Sequence, residues 1–348
     1  KRTRQSPVVG AKQFGGQNPK SASVPRQWGA AALIVAVVLP LICHNAYHID
    51  VVTTAGLYAL LALGLNIVVG FAGLLHLGYA AFFAIGAYTY ALLNLHLGIS
   101  FWVGLLPAAV VAGLFGVLLG MPVMRVRGDY LAIVTLGFGE IVRLTFTNLE
   151  RWTGGPNGLL GIAHPTLWMP GGGVYDFGVA SLPYYYVVLG LTAMVTVLCL
   201  RMSRSRVGRA WLAIREDEMA AACAGINTVQ LKLLAQGCGA SIAGLAGAVF
   251  AAKQGTITPD SFDFILSVMV LAMVVLGGLG SVSGAIAGAL VLGILPEILR
   301  GVEQFRMLLF GLVMIVMMRL CPQGLAGAFS GMSLRWARAP VADASSTS

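Results

Sequence analysis

The chain has 348 residues, of which 58% are hydrophobic and 10% charged, where a soluble globular domain carries about 25% charged residues; with a mean hydropathy of +0.85, a water-soluble domain is excluded. Lys and Arg total 22 against 13 acids, a net charge of +9, and in so apolar a chain this excess bears on membrane orientation rather than on nucleic acid. The stretches between apolar runs, 1–27, about 150–182, about 202–227 and 321–348, are each too short for a catalytic domain, which needs at least about 50 residues.

In chain order the apolar runs fall at approximately 28–46, 51–70, 75–96, 101–123, 129–149, 183–201, 228–252, 262–279, 282–299 and 305–320. Each approaches the roughly 20 residues that a helix needs to cross about 30 Å of hydrocarbon. The period-2 alternation of a membrane barrel is missing, so the expectation is an all-α integral membrane protein of about ten transmembrane helices. The runs at 75–96 and 282–299 are candidates for broken or re-entrant helices. A basic segment followed by apolar residues 29–42 has the outline of a signal peptide, but no small-x-small site follows between Cys43 and Asp50, and it reads as a first membrane helix. Cys43, Cys199, Cys223, Cys238 and Cys321 show no CxxC spacing and read as small packing residues.

Sidedness follows from the basic residues. With the N-terminus in the cytoplasm and ten spans threaded, 17 of the 22 Lys and Arg lie on that side. They are the six before Trp28, Arg125 and Arg127, six from Arg201 to Lys232, and Arg319, Arg335 and Arg338. The asymmetry favours both termini in the cytoplasm, a periplasmic loop at about 150–182, a cytoplasmic segment at about 202–227, a permease body over 28–320 and a cytoplasmic tail at 321–348.

Glycine occurs 45 times. Small residues recur at every fourth position at Gly239, Ala243, Gly247 and Ala251, at Gly116 and Gly120, and at Gly284 and Gly288, rows that let helix backbones approach closely in lipid. Two glycine clusters resemble each other, Val68–Tyr88 and Val275–Ile294. Paired glycine-interrupted segments in two halves of a transporter mark broken helices near a substrate path.

The chain contains no GxxxxGK[ST] phosphate loop, no HExxH, no nucleophile elbow and no His/Cys metal spacing. It is therefore expected to carry no ATPase of its own and to bind no cofactor. The spans hold few ionisable groups: Asp129, Glu140 and Arg143 in the fifth run and Glu297 in the ninth. A charge at mid-bilayer costs at least about 2.5 kcal/mol and faces a cavity or a partner. Glu140 and Arg143 are three apart on one helical face and can neutralise each other, so a structural ion pair and a pathway role both stand.

The segment Gly208–Asn227, GRAWLAIREDEMAAACAGIN, mixes apolar or small Ala210, Leu212, Ala213, Ile214, Met219, Ala220 and Cys223 with charged Arg209, Arg215, Glu216, Asp217 and Glu218. It reads as one short amphipathic helix. A helix that only lies on anionic lipid carries Lys and Arg on its polar face. Three consecutive acids favour docking onto a protein partner, with a solvated loop helix as the alternative.

Four segments together resemble a known pattern: RVRGDYLAIVTLGFGEIVRLTFTNLERWTGGPNGLLGI (125–162), the 208–227 segment, AAKQGTITPDSFDFILSVMVLAMVVLGGLGS (251–281) and RLCPQGL (319–325). In that order they resemble the LivM-type permeases of bacterial branched-chain amino acid ABC importers, over about Asn66 to Leu325. The resemblance implies a fold similar to the permeases of ribose-type importers, placed in the bacterial inner membrane. It implies a LivH-like second permease as heterodimer partner, two LivG/LivF-like cytosolic ATPases using ATP and Mg, a periplasmic substrate-binding protein, and no nucleic acid. By the same analogy 208–227 is the ATPase-coupling helix, with Gly208, Arg209, Ala210, Arg215, Glu216, Asp217, Glu218 and Gly225 as its marked residues.

The implied substrates are leucine, isoleucine and valine, with urea, amides or other small amino or organic acids as the alternative. A small zwitterion needs dipoles around an apolar pocket. The substrate-pathway candidates are Asn66, Thr135, Glu140 and the turn of Thr153, Gly154, Gly155, Pro156, Asn157 and Gly158. The glycines of that turn permit unusual backbone conformations and Pro156 stiffens it; a helix cap and loop anchor is its other role. His76 stands where the family has an apolar or small residue and reads as packing. An ion-coupled secondary transporter would need a titratable or sodium-binding cluster at the midplane, and the spans offer only one Glu with an Arg beside it. A membrane enzyme would need a catalytic cluster that is missing.

Overall fold

The computed structural model describes residues 45–123, 129–168, 174–178 and 180–298, with isolated positions on either side. The expected first and last spans, the segment 1–27, Arg125, Arg127 and the tail from 321 lie wholly or largely outside the described residues.

Helix α1, Ala46–Leu65, starts where the Asn45 side chain accepts from the Tyr47 amide at 3.1 Å, a cap that satisfies an otherwise orphaned donor. It widens into a π turn, Asn66–Phe71. Gly73, at φ +73°, then turns the chain out of the helix, and residues 72–79 run without regular structure. Helix α2, Ala80–Leu97, follows, then α3, Phe101–Val123, α4, Asp129–Asn148, and the short α5, Glu150–Thr153. A 3-10 turn at Gly155–Asn157 leads into β1, Leu159–Leu160, and the antiparallel ribbon of β2, Thr166–Trp168, with β3, Val174–Asp176. Then come α6, Ser181–Arg204, α7, Arg206–Glu216, α8, Glu218–Cys223, and α9, Thr228–Gln254. Strand β4, Thr256–Ile257, pairs antiparallel with β1, and a 3-10 turn at Pro259–Phe262 precedes α10, Phe264–Gly277, and α11, Val282–Ile298.

Among the described residues seven helical stretches are long and apolar enough to cross a membrane: Ala46–Phe71, Ala80–Leu97, Phe101–Pro122, Tyr130–Asn148, Ser181–Arg204, Thr228–Gln254 and Pro259–Gly277, while Val282–Ile298 is apolar but shorter. The run expected at 75–96 therefore begins at Ala80, behind a break. The run at 282–299 is one continuous helix, and the interruption lies just ahead of it at 278–281.

Helix α9 is the central post, and its small residues explain why. A Cβ at Gly244 would strike Ala108 and Ala112 of α3, one at Gly247 the Phe83 carbonyl of α2, and one at Gly239 the Gly64 carbonyl of α1. Three helices thus meet α9 backbone to backbone, the packing that small residues allow in lipid. The expected row is buried along its length, with Ala243 and Ala251 fully enclosed. Gly116 faces Ala240, and Gly288 of α11 sits on the Met273 carbonyl of α10. Helix α4 is the least covered of the seven spans.

The expected single helix over 208–227 is instead two helices, and this is a correction. Asp217 is extended (φ −153°, ψ 110°), and its carboxylate accepts from the amides of Met219 at 2.8 Å and Ala220 at 3.0 Å. A short acid that can cap its own downstream amides stops one helix and starts the next. The first helix also begins earlier than expected, at Arg206, where Ser205 Oγ accepts from the Gly208 amide at 3.2 Å.

Candidate functional site

Helix α7 turns one face to the bundle because its inward positions recur at helical spacing. Gly208, Trp211 and Ile214 are buried. Gly208 lies against the backbone of residues 202–203, and Trp211 Nε1 donates to the Leu231 carbonyl of α9 at 2.7 Å. Arg215, one turn beyond Trp211, reaches inward: Nη1 donates to the Gly70 carbonyl in the π turn. Its stem lies against Gly73, and its head stands beside Gly280.

The opposite side of α7 and α8 is open. Leu212 is 40% and Met219 66% exposed. Of the three acids, Asp217 caps α8 and Glu218 pairs with Lys232 at 2.6 Å. Glu216 is exposed and makes no ion pair among the described residues. Exposed Arg209 donates to the Arg204 carbonyl at 3.1 Å. Ala210 is half-buried, and Gly225, at φ +82°, turns the chain from α8 towards α9.

The two glycine clusters face each other across a single side chain. Asn66 is 1% exposed. Its Oδ1 accepts from the Gly280 amide at 2.9 Å and its Nδ2 donates to the Ser281 carbonyl at 3.3 Å. Both halves of a buried amide are thereby satisfied, and the break after α1 is fastened to the break between α10 and α11.

From that junction residues 72–79 run to the start of α2. The Leu77 amide donates to Thr135 Oγ1 at 3.0 Å, and Thr135 Oγ1 donates to the Ala132 carbonyl at 2.9 Å. The Ala80 amide donates to Ser267 Oγ of α10 at 2.9 Å, so the first donor of α2 and the Leu77 amide ahead of it are both answered by side chains from other helices. Between α2, α4 and α10 lies a small, partly open cleft with a cavity volume of only about 10 Å3, bordered by Gly78, Gly139, Glu140, Phe262, Asp263 and Ser267. Arg143 is hydrogen-bonded to Glu140 through Nε at 3.1 and 3.2 Å and through Nη2, and its Nη1 meets Asp260 at 3.1 Å. Glu140 at the rim is thus paired with Arg143, while Asp263 caps α10 by accepting from the Leu266 amide. Among the described residues no group of three or more His, Cys, Asp or Glu could hold a metal ion. The arrangement offers apolar walls and the Ser267 hydroxyl beside the start of α2.

Residues 47–318 match the family described as branched-chain amino acid transport system, permease component. The chain belongs to that family. It is 45% identical over 312 residues to the high-affinity branched-chain amino acid transport system permease protein LivM of Salmonella typhimurium and to that of Escherichia coli, covering 85% of this chain and 73% of each relative. It is also 27% identical over 293 residues to the permease protein LivH of Salmonella typhimurium, covering 79% of this chain and 93% of that one. No solved structure matches. With its apolar helices, this permease is a multi-pass protein of the inner membrane.

The permease structure spreads the residues expected on the pathway over three places. Glu140 borders the cleft, and Thr135 stands behind its wall through Leu77. Asn66 lies at the other end of the 72–79 stretch. The turn from Thr153 to Gly158 follows the C-terminal end of α4. Thr153 Oγ1 donates to the Phe146 carbonyl at 2.6 Å, Gly154 and Gly155 both have positive φ, and Pro156 and Asn157 are exposed. Gly158, at φ +70°, packs on the Ile257 carbonyl and opens β1. This turn fastens the long loop to the segment that carries Asp260 and Phe262. His76 is buried against Tyr79 and Phe82, and its Nδ1 makes no hydrogen bond among the described residues.

Sequence reasoning missed Ser267, Asp263 and the inward reach of Arg215. Asp263 stands directly ahead of an apolar run, the pattern of a helix cap, and its carboxylate does accept from the Leu266 amide at 3.0 Å. Ser267 is a lone hydroxyl in FILSVMVLAM. Arg215 follows Trp211 by four residues, which places both on one face.

Proposed function

We propose that this permease is one of two paired membrane subunits of an ATP-binding cassette importer. In this reading it moves leucine, isoleucine and valine across the bacterial inner membrane by alternating access. Its partners would be a second permease of the LivH kind, two separate cytosolic ATPases that use ATP and Mg, and a periplasmic protein that delivers the solute. The relatives LivM and LivH, permease proteins of high-affinity branched-chain amino acid transport systems, support the substrate class. Ten spans with both termini in the cytoplasm belong to the same proposal, supported by the distribution of Lys and Arg.

The observation that carries the reading is the two-faced coupling segment. Trp211 and Arg215 hold α7 to the bundle, while Leu212, Glu216 and Met219 point outward. Such a segment has use only if another protein pushes on it. A displacement there is delivered to the interrupted helices and so to the start of α2, which borders the cleft. The uncovered α4 carries Glu140 and Arg143, and a paired charge at a lipid-facing depth is far less costly against a protein partner or a water-filled path than against hydrocarbon. We therefore assign the solute path to the cleft side of α4, with Glu140, Thr135 and the 153–158 turn along it, and Asn66 at its inner end.

The test is reconstitution of this permease with its second permease, the two ATPases and the binding protein in vesicles. Uptake of radiolabelled leucine should require ATP and every subunit. Concentrative uptake by this chain alone would refute the reading.

A further inference from the structure

Arg215 lies on a segment whose other charged groups face outward or serve local caps, yet its guanidinium is turned into the bundle. It forms no ion pair among the described residues. Its partner is the Gly70 carbonyl, in the last turn of the interrupted first helix, where carbonyls lack helical donors. Gly280 stands beside its head, just past the end of α10 at Gly277. The C-terminal ends of two helices, each carrying partial negative charge, converge on one guanidinium. Arg215 keeps an exposed side, but the fit is close where it meets the glycines. A Cβ at Gly73 would press on the Arg215 stem, and a Cβ at Gly280 would lie 3.1 Å from Nη1. Both glycines have positive φ, +73° and +83°, so neither position accepts a side chain without strain.

The two breaks do not move independently, because Asn66 joins them through the Gly280 amide and the Ser281 carbonyl. Trp211 ties the same face of α7 to the start of α9, and Arg215 supplies a hydrogen bond from α7 to the interrupted first helix. We propose that Arg215 is the positioning residue that transmits displacement of the coupling segment to both interrupted helices at once, its stem seated on Gly73 and its guanidinium on the Gly70 carbonyl beside Gly280. This rests on the importer reading and adds to it a defined route from the ATPase contact to the cleft.

The experiment uses the complete reconstituted importer and measures ATP hydrolysed per leucine transported. A residue that merely held the complex together would lower hydrolysis and uptake in step, leaving that ratio unchanged. For Arg215→Ala the ratio should rise by about tenfold, within the usual range of coupling between sites. Arg215→Lys keeps the charge but reaches fewer acceptors than the forked guanidinium, and the ratio should rise by about two- to fivefold. A wild-type ratio in whichever variant assembles overturns the proposal, so Arg215→Lys alone decides if Arg215→Ala does not assemble. A wild-type complex that takes up no leucine would instead count against the importer reading itself.

Discussion

Replacing Asn66 by alanine withdraws two hydrogen bonds from the interior at one stroke. The Gly280 amide loses its acceptor and the Ser281 carbonyl its donor, at a position where the side chain is 1% exposed. A buried polar group left unpaired costs about 1–3 kcal/mol, so Asn66→Ala should destabilise the fold by about 2–6 kcal/mol, with the lower value expected if water enters the vacated space. Asn66→Asp should be no milder. It keeps an acceptor for the Gly280 amide but sets a carboxylate against the Ser281 carbonyl. The assay is thermal unfolding of the detergent-solubilised permease. Each kcal/mol shifts the midpoint by about 2–4 °C in a body of roughly 150–250 residues, so a drop of at least about 4 °C is expected. Midpoints of both variants within about 1 °C of wild type would refute the idea that one side chain fastens the two breaks together.

Three further outcomes follow from the same geometry. Asp217→Ala removes the cap on α8 and should cost about 0.5–2 kcal/mol locally, visible as faster hydrogen exchange at residues 219–223 with the bundle unaffected; unchanged exchange would show that the cap is idle. Glu216→Lys should reduce co-purification of the ATPases without lowering the melting midpoint, whereas Glu218→Lys also breaks the pair with Lys232; equal recovery of ATPases from Glu216→Lys and wild type would remove Glu216 from the docking face. Gly247→Leu drives a side chain into the Phe83 carbonyl and should cost at least about 1–3 kcal/mol as overpacking, read as loss of folded permease by size-exclusion chromatography; a normal yield and elution profile would contradict the close approach of α2 and α9.

Much of the architecture is legible in the residues because lipid leaves few choices. Apolar runs of sufficient length must become helices, and rows such as Gly239, Ala243, Gly247 and Ala251 can serve only close packing. The likeness of the clusters at 68–88 and 275–294 points to interrupted helices, and both interruptions are found, at 72–79 and 278–281. What stays hidden is whatever depends on partners distant in sequence. Asn66 reads as a lone polar residue until Gly280 is brought against it. The three acids at 216–218 look alike in a linear row, although Asp217 folds back on its own chain and Glu218 turns to Lys232. Arg215 looks like one more surface charge, because nothing local announces that the π turn leaves a carbonyl within its reach. The cleft is the least legible part, since three elements distant in the chain must converge before Ser267 can meet the first amide of α2.

The glycine and alanine surface of α9 also limits what the molecule can do as a machine. Helices joined by interlocking long side chains can slide by letting those side chains change rotamer, but α1, α2 and α3 rest on α9 through main-chain atoms, which have no such slack. The packed middles of these four helices therefore form the stationary frame of the permease, and any stroke that opens one side and shuts the other has to be made by parts outside it, among them the π turn that ends α1 and the stretch 72–79 that leads to α2. The lightly clad α4 is the piece least held by that frame.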